Sequence, residues 1–390
     1  MSHTSVEVEL EPMDTTDVDR WIGRPIAGEQ LKEPITVTDI RRWVQGMNYP
    51  NRLHYEEEFA TESEFGRIVA PQSFTVCTIH GHGALPALQG KIPGSHMLFG
   101  GDEWWFFGPR IEPGDHLSAT RMAFDYRLAD TRFAGPTMFQ RGDTNYCNQR
   151  GEPVAIQRST AIRFLPENAR RLGFMDSQAE DYDWTEEELD ALERERLDYY
   201  LTFREHVLKT ADEIRVGDLP RRPIGPHTVR SLATEWRSFI FTVWGSSRPD
   251  DFGDATEDAG WLPEMTPDLD KARIDPAAAD GLYAGQAKAH ADGAKGGTIG
   301  MPKAYGYGAS MGAWVLDYVA AWAGEYGFIT HSNIQYRSPA FEGDATFLDG
   351  HLTGTRLGRD GRTRAELVVT MTNQRGVVLA KGPVEVRFDR

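Results

Sequence analysis

Cysteine is almost missing from this chain: Cys77 and Cys147 are the two in 390 residues. Two thiols so far apart build neither a disulfide framework nor a zinc site, and each reads as a buried or half-buried free thiol. Long apolar runs are missing as well. No stretch of about 18 apolar residues occurs, which argues against a membrane-spanning helix. The acidic start MSHTSVEVELEPMDTTDVDR lacks the basic and apolar segments of a secretory leader. A soluble protein of a reducing cytoplasm is expected. Positive charge is scarce, with 42 Lys and Arg against 59 Asp and Glu and a net charge of −17. That balance argues against nucleic acid or an anionic membrane as a general partner. What is present, 40% hydrophobic and 26% charged residues, is an ordinary globular composition able to bury a core. At roughly 150 residues per domain, two or three domains are expected.

Two distant segments read as copies of one unit. The first runs Gly108-Pro109-Arg110-Ile111-Glu112-Pro113-Gly114-Asp115 and reaches Asn148-Gln149-Arg150-Gly151 and then Ile162-Arg163-Phe164. The second runs Arg337-Ser338-Pro339-Ala340-Phe341-Glu342-Gly343-Asp344 and reaches Asn373-Gln374-Arg375-Gly376 and then Val386-Arg387-Phe388. Gly-Asp is a tight-turn pair, the stretches after it mix β-branched and apolar residues, and each Asn-Gln-Arg-Gly reads as a hairpin turn.

Ahead of each strand block lies a candidate helix. Residues 71–89 begin with Pro71 and stop near Gly90, and residues 303–323 are mostly apolar and stop at Gly324. Helices this apolar need wrapping, which the antiparallel strands that follow can supply. Between the halves, the charged stretch 166–221 carries Leu189, Leu192 and Leu197 at near-helical spacing and reads as a helical linker. Residues 250–297, rich in Asp, Ala and Gly, read as a long insertion, either ornamental or a lid.

The segment with chemical content precedes the first candidate helix: Tyr49-Pro50-Asn51-Arg52-Leu53-His54-Tyr55-Glu56-Glu57-Glu58-Phe59-Ala60, then Ala70-Pro71-Gln72-Ser73-Phe74. It resembles the MaoC-like family of (R)-specific enoyl-CoA hydratases and 3-hydroxyacyl dehydratases, whose signature is Asp-x-Asn-Pro-x-His followed by an acidic residue and an Ala. In register, Asn51, His54, Glu56 and Ala60 match, while Tyr49 stands for the catalytic Asp and Arg52 for the Pro. The Ala-Pro-x-x-Phe start, the Gly-Asp turn and the hairpin tetrapeptide are also similar to two-domain members, so the resemblance covers most of the chain. A more degraded copy, Gly245-Ser246-Ser247-Arg248-Pro249-Asp250-Asp251, retains only Gly245 and Pro249.

The resemblance implies an α+β double hot-dog fold, each unit an antiparallel sheet wrapped around a long apolar helix. The expected units are residues 20–165 and 222–390, joined by the linker 166–221, forming a pseudo-dimer in one chain or a homodimer. It implies a lyase of lipid metabolism that hydrates or dehydrates an acyl thioester, CoA-linked, with no cofactor and no metal. His54 is the expected proton-transfer residue, since an imidazole titrates near neutrality. Asn51 would orient the site, and backbone N–H groups at Gln72 and Ser73 would hold the thioester carbonyl. Tyr49 is a possible proton donor but a poor base, and its alternative role is a packed aromatic. A hot-dog enzyme of altered chemistry such as a thioesterase, or a non-catalytic acyl-CoA-binding subunit, stays open beside the hydratase reading. An anionic thioester also needs local positive charge, for which Arg52 and Arg110 are the candidates.

Other patterns carry less. His80 and His82, two apart on a helix, would point to different faces and are read as packed or pocket-lining residues, not metal ligands. Gly142-Asp143-Thr144-Asn145 mimics the signature start and is read as a turn. Gly306, Gly308 and Gly312 have the wrong spacing for a dinucleotide loop and are read as close packing or a helix start near a ligand. Alternation places Trp104 and Phe106 on one strand face and Trp105 and Phe107 on the other. One pair is expected on the core helix and the other at an interface or an acyl-pocket wall, the latter implying a bulky acyl group.

Overall fold

The structure, a computed structural model, describes residues 10–31, 33–79, 83–232, 288–291 and 293–390. The degraded second signature at 245–251 and the histidines at 80 and 82 lie outside the described residues, as does most of the 250–297 insertion.

Eleven strands form one antiparallel sheet. The first half supplies β1 (Pro25–Gln30), β2 (His96–Phe106), β3 (Ser118–Thr131), β4 (Gly135–Cys147) and β5 (Pro153–Phe164). Two short strands follow, β6 (Gly217–Asp218) and β7 (Arg222–Ile224). The second half supplies β8 (Gly327–Tyr336), β9 (Thr346–Leu357), β10 (Thr363–Asn373) and β11 (Val378–Phe388). Strand order across the sheet runs β1-β3-β4-β5-β2-β8-β11-β10-β9-β6, with β7 also paired to β9. It reads the same in both directions from the β2–β8 junction, so the repeated segments pair as a pseudo-dimer within the chain.

The repeat residues explain themselves in contact. In the first half the Gln149 amide donates to Asp115 (2.9 Å), and in the second the Gln374 amide donates to Asp344 (2.5 Å). Asn148 accepts from the backbone N–H of Arg150 and Glu152, and Asn373 accepts likewise from Arg375 and Val377. The Gly-Asp turn and the hairpin tetrapeptide therefore recur together because their side chains lock one strand end to the other.

In the second half the expected core helix forms at Gly308–Ala323, and nearly all of its residues are buried. Gly308 and Gly312 are close-packing positions, since a Cβ there would meet Phe99 and the Tyr336 hydroxyl. In the first half the long helix over 71–89 does not form. Short 3-10 turns occupy Gln72–Cys77 and Leu85–Leu88. The inward face of β4 and β5 is polar, and it binds carbonyls of this segment. Ser159 donates to Gly83 O (2.8 Å), Gln140 to Gln89 O (2.8 Å), and the buried Arg163 to Gln89 O (3.2 Å) and Gly90 O (2.7 Å). Pro86 also lacks the N–H a helix interior needs.

One smaller expectation is corrected. Residues 142–145 lie in the middle of β4 and form no turn; Gly142 is needed because Pro86 and Ala87 pack on its backbone. The linker helix forms over Glu186–Leu201, started by a Thr185–Glu188 capping box, but it buries only Leu192 and leaves Leu189 and Leu197 exposed. Among the described residues no helix is long and apolar enough to cross a membrane.

Candidate active site

The signature segment is shaped by local capping. Thr36 and Asp39 form a capping box at the start of the Val37–Gly46 helix, and Asn48 ends it with a left-handed backbone, φ 55°. Asn51 then starts a 3-10 turn over Arg52–His54, accepting from Leu53 N–H (3.1 Å), while its amide donates to the Tyr49 hydroxyl (3.2 Å). One asparagine thus fixes both the turn that carries His54 and the phenol of Tyr49. The rings of Tyr49 and His54 are 5.4 Å apart, and Tyr49 meets Phe203 edge-on at 5.2 Å.

His54 is buried, and its Nδ1 is 2.6 Å from the carbonyl oxygen of Val69. A carbonyl can only accept, so Nδ1 carries the proton and Nε2 presents a lone pair. Desolvation, with a smaller push from the Arg110 cation, lowers the His54 pKa to about 3. The imidazole is therefore neutral across the physiological range, with Nε2 as an acceptor. Burial, aided by the negative Asp317, raises the Tyr49 phenol far above its ordinary range, so it stays protonated.

Gln72 and Ser73 are close by, but their side chains are committed. Gln72 bonds both backbone groups of Ile329 (2.8 and 3.0 Å), stitching the first half to β8. The Ser73 hydroxyl accepts from the Trp43 indole (2.9 Å) and donates to Asp317 (2.5 Å). Arg52 is not brought to the cluster. Its guanidinium pairs with Glu56 (2.6 Å), donates to Arg204 O (3.1 Å) and lies over the Phe59 ring, on the surface.

A pocket of about 10 Å³, room for one water, opens at Ala70, next in the chain to the Val69 that holds His54, and none of Tyr49, Asn51 or His54 lines it. Ala70, Pro71, Gln72, Thr75, Phe106 and Arg110 are among the residues that line it. Trp104 and Phe106 stack in the core at 5.3 Å, whereas Trp105 packs on His331 at the sheet face and Phe107 is exposed. Phe106 of the core-facing pair borders the pocket, and neither Trp105 nor Phe107 does.

Residues 20–157 match the family described as "FAS1-like, dehydratase domain region". Over that stretch, about a third of the chain, the sequence is similar to a dehydratase domain. Solved structures agree on the fold across the whole length. A MaoC-like dehydratase is 15% identical with a TM-score of 0.60, the match covering 95% of this chain and 100% of that one. A putative MaoC domain protein dehydratase from Chloroflexus aurantiacus is 13% identical with a TM-score of 0.53, covering 94% and 95%. A conserved hypothetical protein of Mycobacterium tuberculosis, described as having a double hot-dog fold, is 12% identical with a TM-score of 0.51, covering 95% and 97%. No curated protein matches by sequence.

The first half does not complete the cluster alone. Asp317, on the core helix of the other half, is fully buried, and one of its oxygens has no hydrogen-bond partner. Burial raises its pKa to about 7, opposed by Arg222 and by the Ser73 hydroxyl. Position 49 lacks the signature carboxylate, yet a carboxylate 268 positions further along the chain stands within electrostatic range of the Tyr49 phenol. Sequence reasoning missed Asp317, a single acid in an apolar helix, and Arg222, one of an Arg-Arg pair between prolines, because neither has a motif around it. The only available signal was an Asp within an otherwise apolar helix. Among the described residues no group of three His, Cys, Asp or Glu side chains is placed to hold a metal ion.

Proposed function

We propose that this chain adds water reversibly across the double bond of a 2-enoyl thioester, CoA-linked, with His54 as the base. The observation that carries the reading is the 2.6 Å contact from His54 Nδ1 to Val69 O, which leaves Nε2 as a proton acceptor inside a dehydratase-type domain. In the hydration direction, Nε2 takes one proton of a water whose oxygen bonds to C3. Tyr49 gives its phenolic proton to C2, and the proton on His54 returns to Tyr49, so one water is added and both side chains are restored. Asn51 holds the phenol in place. The N–H groups of Gln72 and Ser73, which head the 72–77 turn and have no acceptor within it, would face the thioester oxygen. The test is incubation with 2-enoyl-CoA and 3-hydroxyacyl-CoA thioesters of several chain lengths. Interconversion of the two supports the reading; release of free CoA would indicate a thioesterase, and binding without turnover an acyl-CoA-binding subunit.

Asp317 would serve this site by holding Ser73 and charging its surroundings, at a cost in stability. Its folded pKa is raised from 3.8 to about 7. The contribution of its protonated form is thus fully present below about pH 4 and lost as pH rises through about 7. Asp317→Asn, always neutral, escapes that loss. The variant is expected to melt above the wild type at pH 8 and close to it at pH 4, as read by calorimetry; equal shifts at both pH values would show that the carboxyl does not ionise there.

A further inference from the structure

Arg110 lines the pocket without a matching anion. Its guanidinium is half-buried, lying 5.4 Å from the centre of the Phe65 ring and 5.0 Å from that of Phe328, and only Nη2 makes a hydrogen bond, to Gly327 O (3.1 Å). Among the described residues no carboxylate forms an ion pair with it, and Asp389, which acts on it from further off, is already bonded to Arg387. The contrast is Arg387, which lies over the same Phe328 ring (4.8 Å) but is matched by Asp389 through two bonds of 2.8 and 3.2 Å. Desolvation lowers the Arg110 pKa to about 10, so it remains a cation at neutral pH. A poorly solvated cation is costly unless something pairs with it, and the space beside it is the pocket.

The charge is also at the reacting end. Arg110 acts electrostatically on both Tyr49 and His54, so an anion bound to it would lie near C2 and C3 of the substrate. The CoA phosphates are separated from those carbons by the pantetheine arm. A fixed cation suits a fixed anion, and a planar guanidinium with Nε and Nη1 uncommitted suits a carboxylate.

We propose that Arg110 binds a carboxylate carried on the acyl group, so that the substrate is the thioester of a short dicarboxylic acid. The substrate class rests on the thioester reading above, whereas the carboxylate site can be measured without it. Calorimetric titration would use two saturated thioesters that cannot turn over, glutaryl-CoA and butyryl-CoA. Wild type is expected to bind glutaryl-CoA roughly ten- to a hundred-fold more tightly, the worth of one charge-assisted contact. Arg110→Gln should erase that preference and leave butyryl-CoA binding unchanged, and Arg110→Lys should keep part of it; equal melting temperatures check that the variants fold. Equal binding of the two thioesters by the wild type would overturn the proposal. So would a loss in Arg110→Gln that is equal for both and absent with butyryl-pantetheine, which would assign Arg110 to the CoA phosphates. Free glutarate gives the arm independent of thioester chemistry: it should raise the melting temperature of the wild type and not of Arg110→Gln. No such difference overturns the carboxylate site even if hydration is found, and a difference without any hydration leaves the site standing while the hydratase reading falls.

Discussion

His54→Gln is expected to lower turnover of a 2-enoyl-CoA by roughly a hundred- to ten-thousand-fold, the usual worth of a positioned general base, with a small change in KM. Glutamine is the informative replacement. Its amide can still donate to Val69 O, the 2.6 Å contact that anchors the imidazole, but it has no nitrogen that accepts a proton at neutral pH. His54→Ala removes the base and also orphans that buried carbonyl, at a cost of about 1–3 kcal/mol, so stability and chemistry would fall together. The pH dependence follows from the direction of the shift. A base with its pKa lowered to about 3 is already neutral well below pH 7, so its protonation should not limit the rate between about pH 5 and 8. An acid limb with a midpoint near the ordinary histidine value of 6.5 would show that the imidazole is solvated and the buried geometry wrong. Turnover unchanged in His54→Gln would remove His54 from the chemistry.

The parts of this protein that were legible in its sequence are those encoded locally. The repeated Gly-Asp and Asn-Gln-Arg-Gly segments revealed two related halves because their own side chains, Asp115 with Gln149 and Asp344 with Gln374, bond to each other. The signature in register placed Asn51, His54 and Tyr49 together, as they are in space. What stayed hidden depended on contacts between distant segments. Residues 71–89 have helical punctuation at both ends, but Gln140, Ser159 and Arg163 on the facing strands take the carbonyls of residues 83–90. Those polar residues at inward positions of β4 and β5 were the available sign that a helix would not cover them. Glycine in a turn-like tetrapeptide misled for a related reason, since Gly142 serves backbone packing against Pro86. Arg52 looked like a ligand for an anionic substrate, but Glu56 one turn later was its nearer partner. The carboxylate at 317 was invisible to any reading of the signature, because the other half of the molecule provides it.

Arg222→Ala is expected to destabilise the fold by about 3–5 kcal/mol, the cost of breaking a buried ionic arrangement from one side. The guanidinium is fully buried and binds three carbonyls: Trp314 O on the second-half core helix (3.1 Å), and Met47 O and Asn48 O just ahead of Tyr49 (both 2.9 Å). It thereby ties the start of the signature segment to the opposite half, while its face lies over the Tyr199 ring at 4.9 Å. Alanine leaves those acceptors dry and removes the cation that opposes the raised pKa of Asp317. The lost charge adds a pH signature. Without Arg222 the Asp317 carboxyl needs its proton up to a higher pH, and the stability that its protonated form contributes is lost as pH rises through that value. The deficit of Arg222→Ala relative to the wild type should therefore be larger at pH 8 than at pH 5, measured by urea unfolding at both. Arg222→Ala combined with Asp317→Asn should recover most of that difference while leaving the pH-independent loss from the three carbonyls. A deficit equal at both pH values would mean that the two side chains do not share a field, and Asp317 would then have no electrostatic route from the second half to Tyr49.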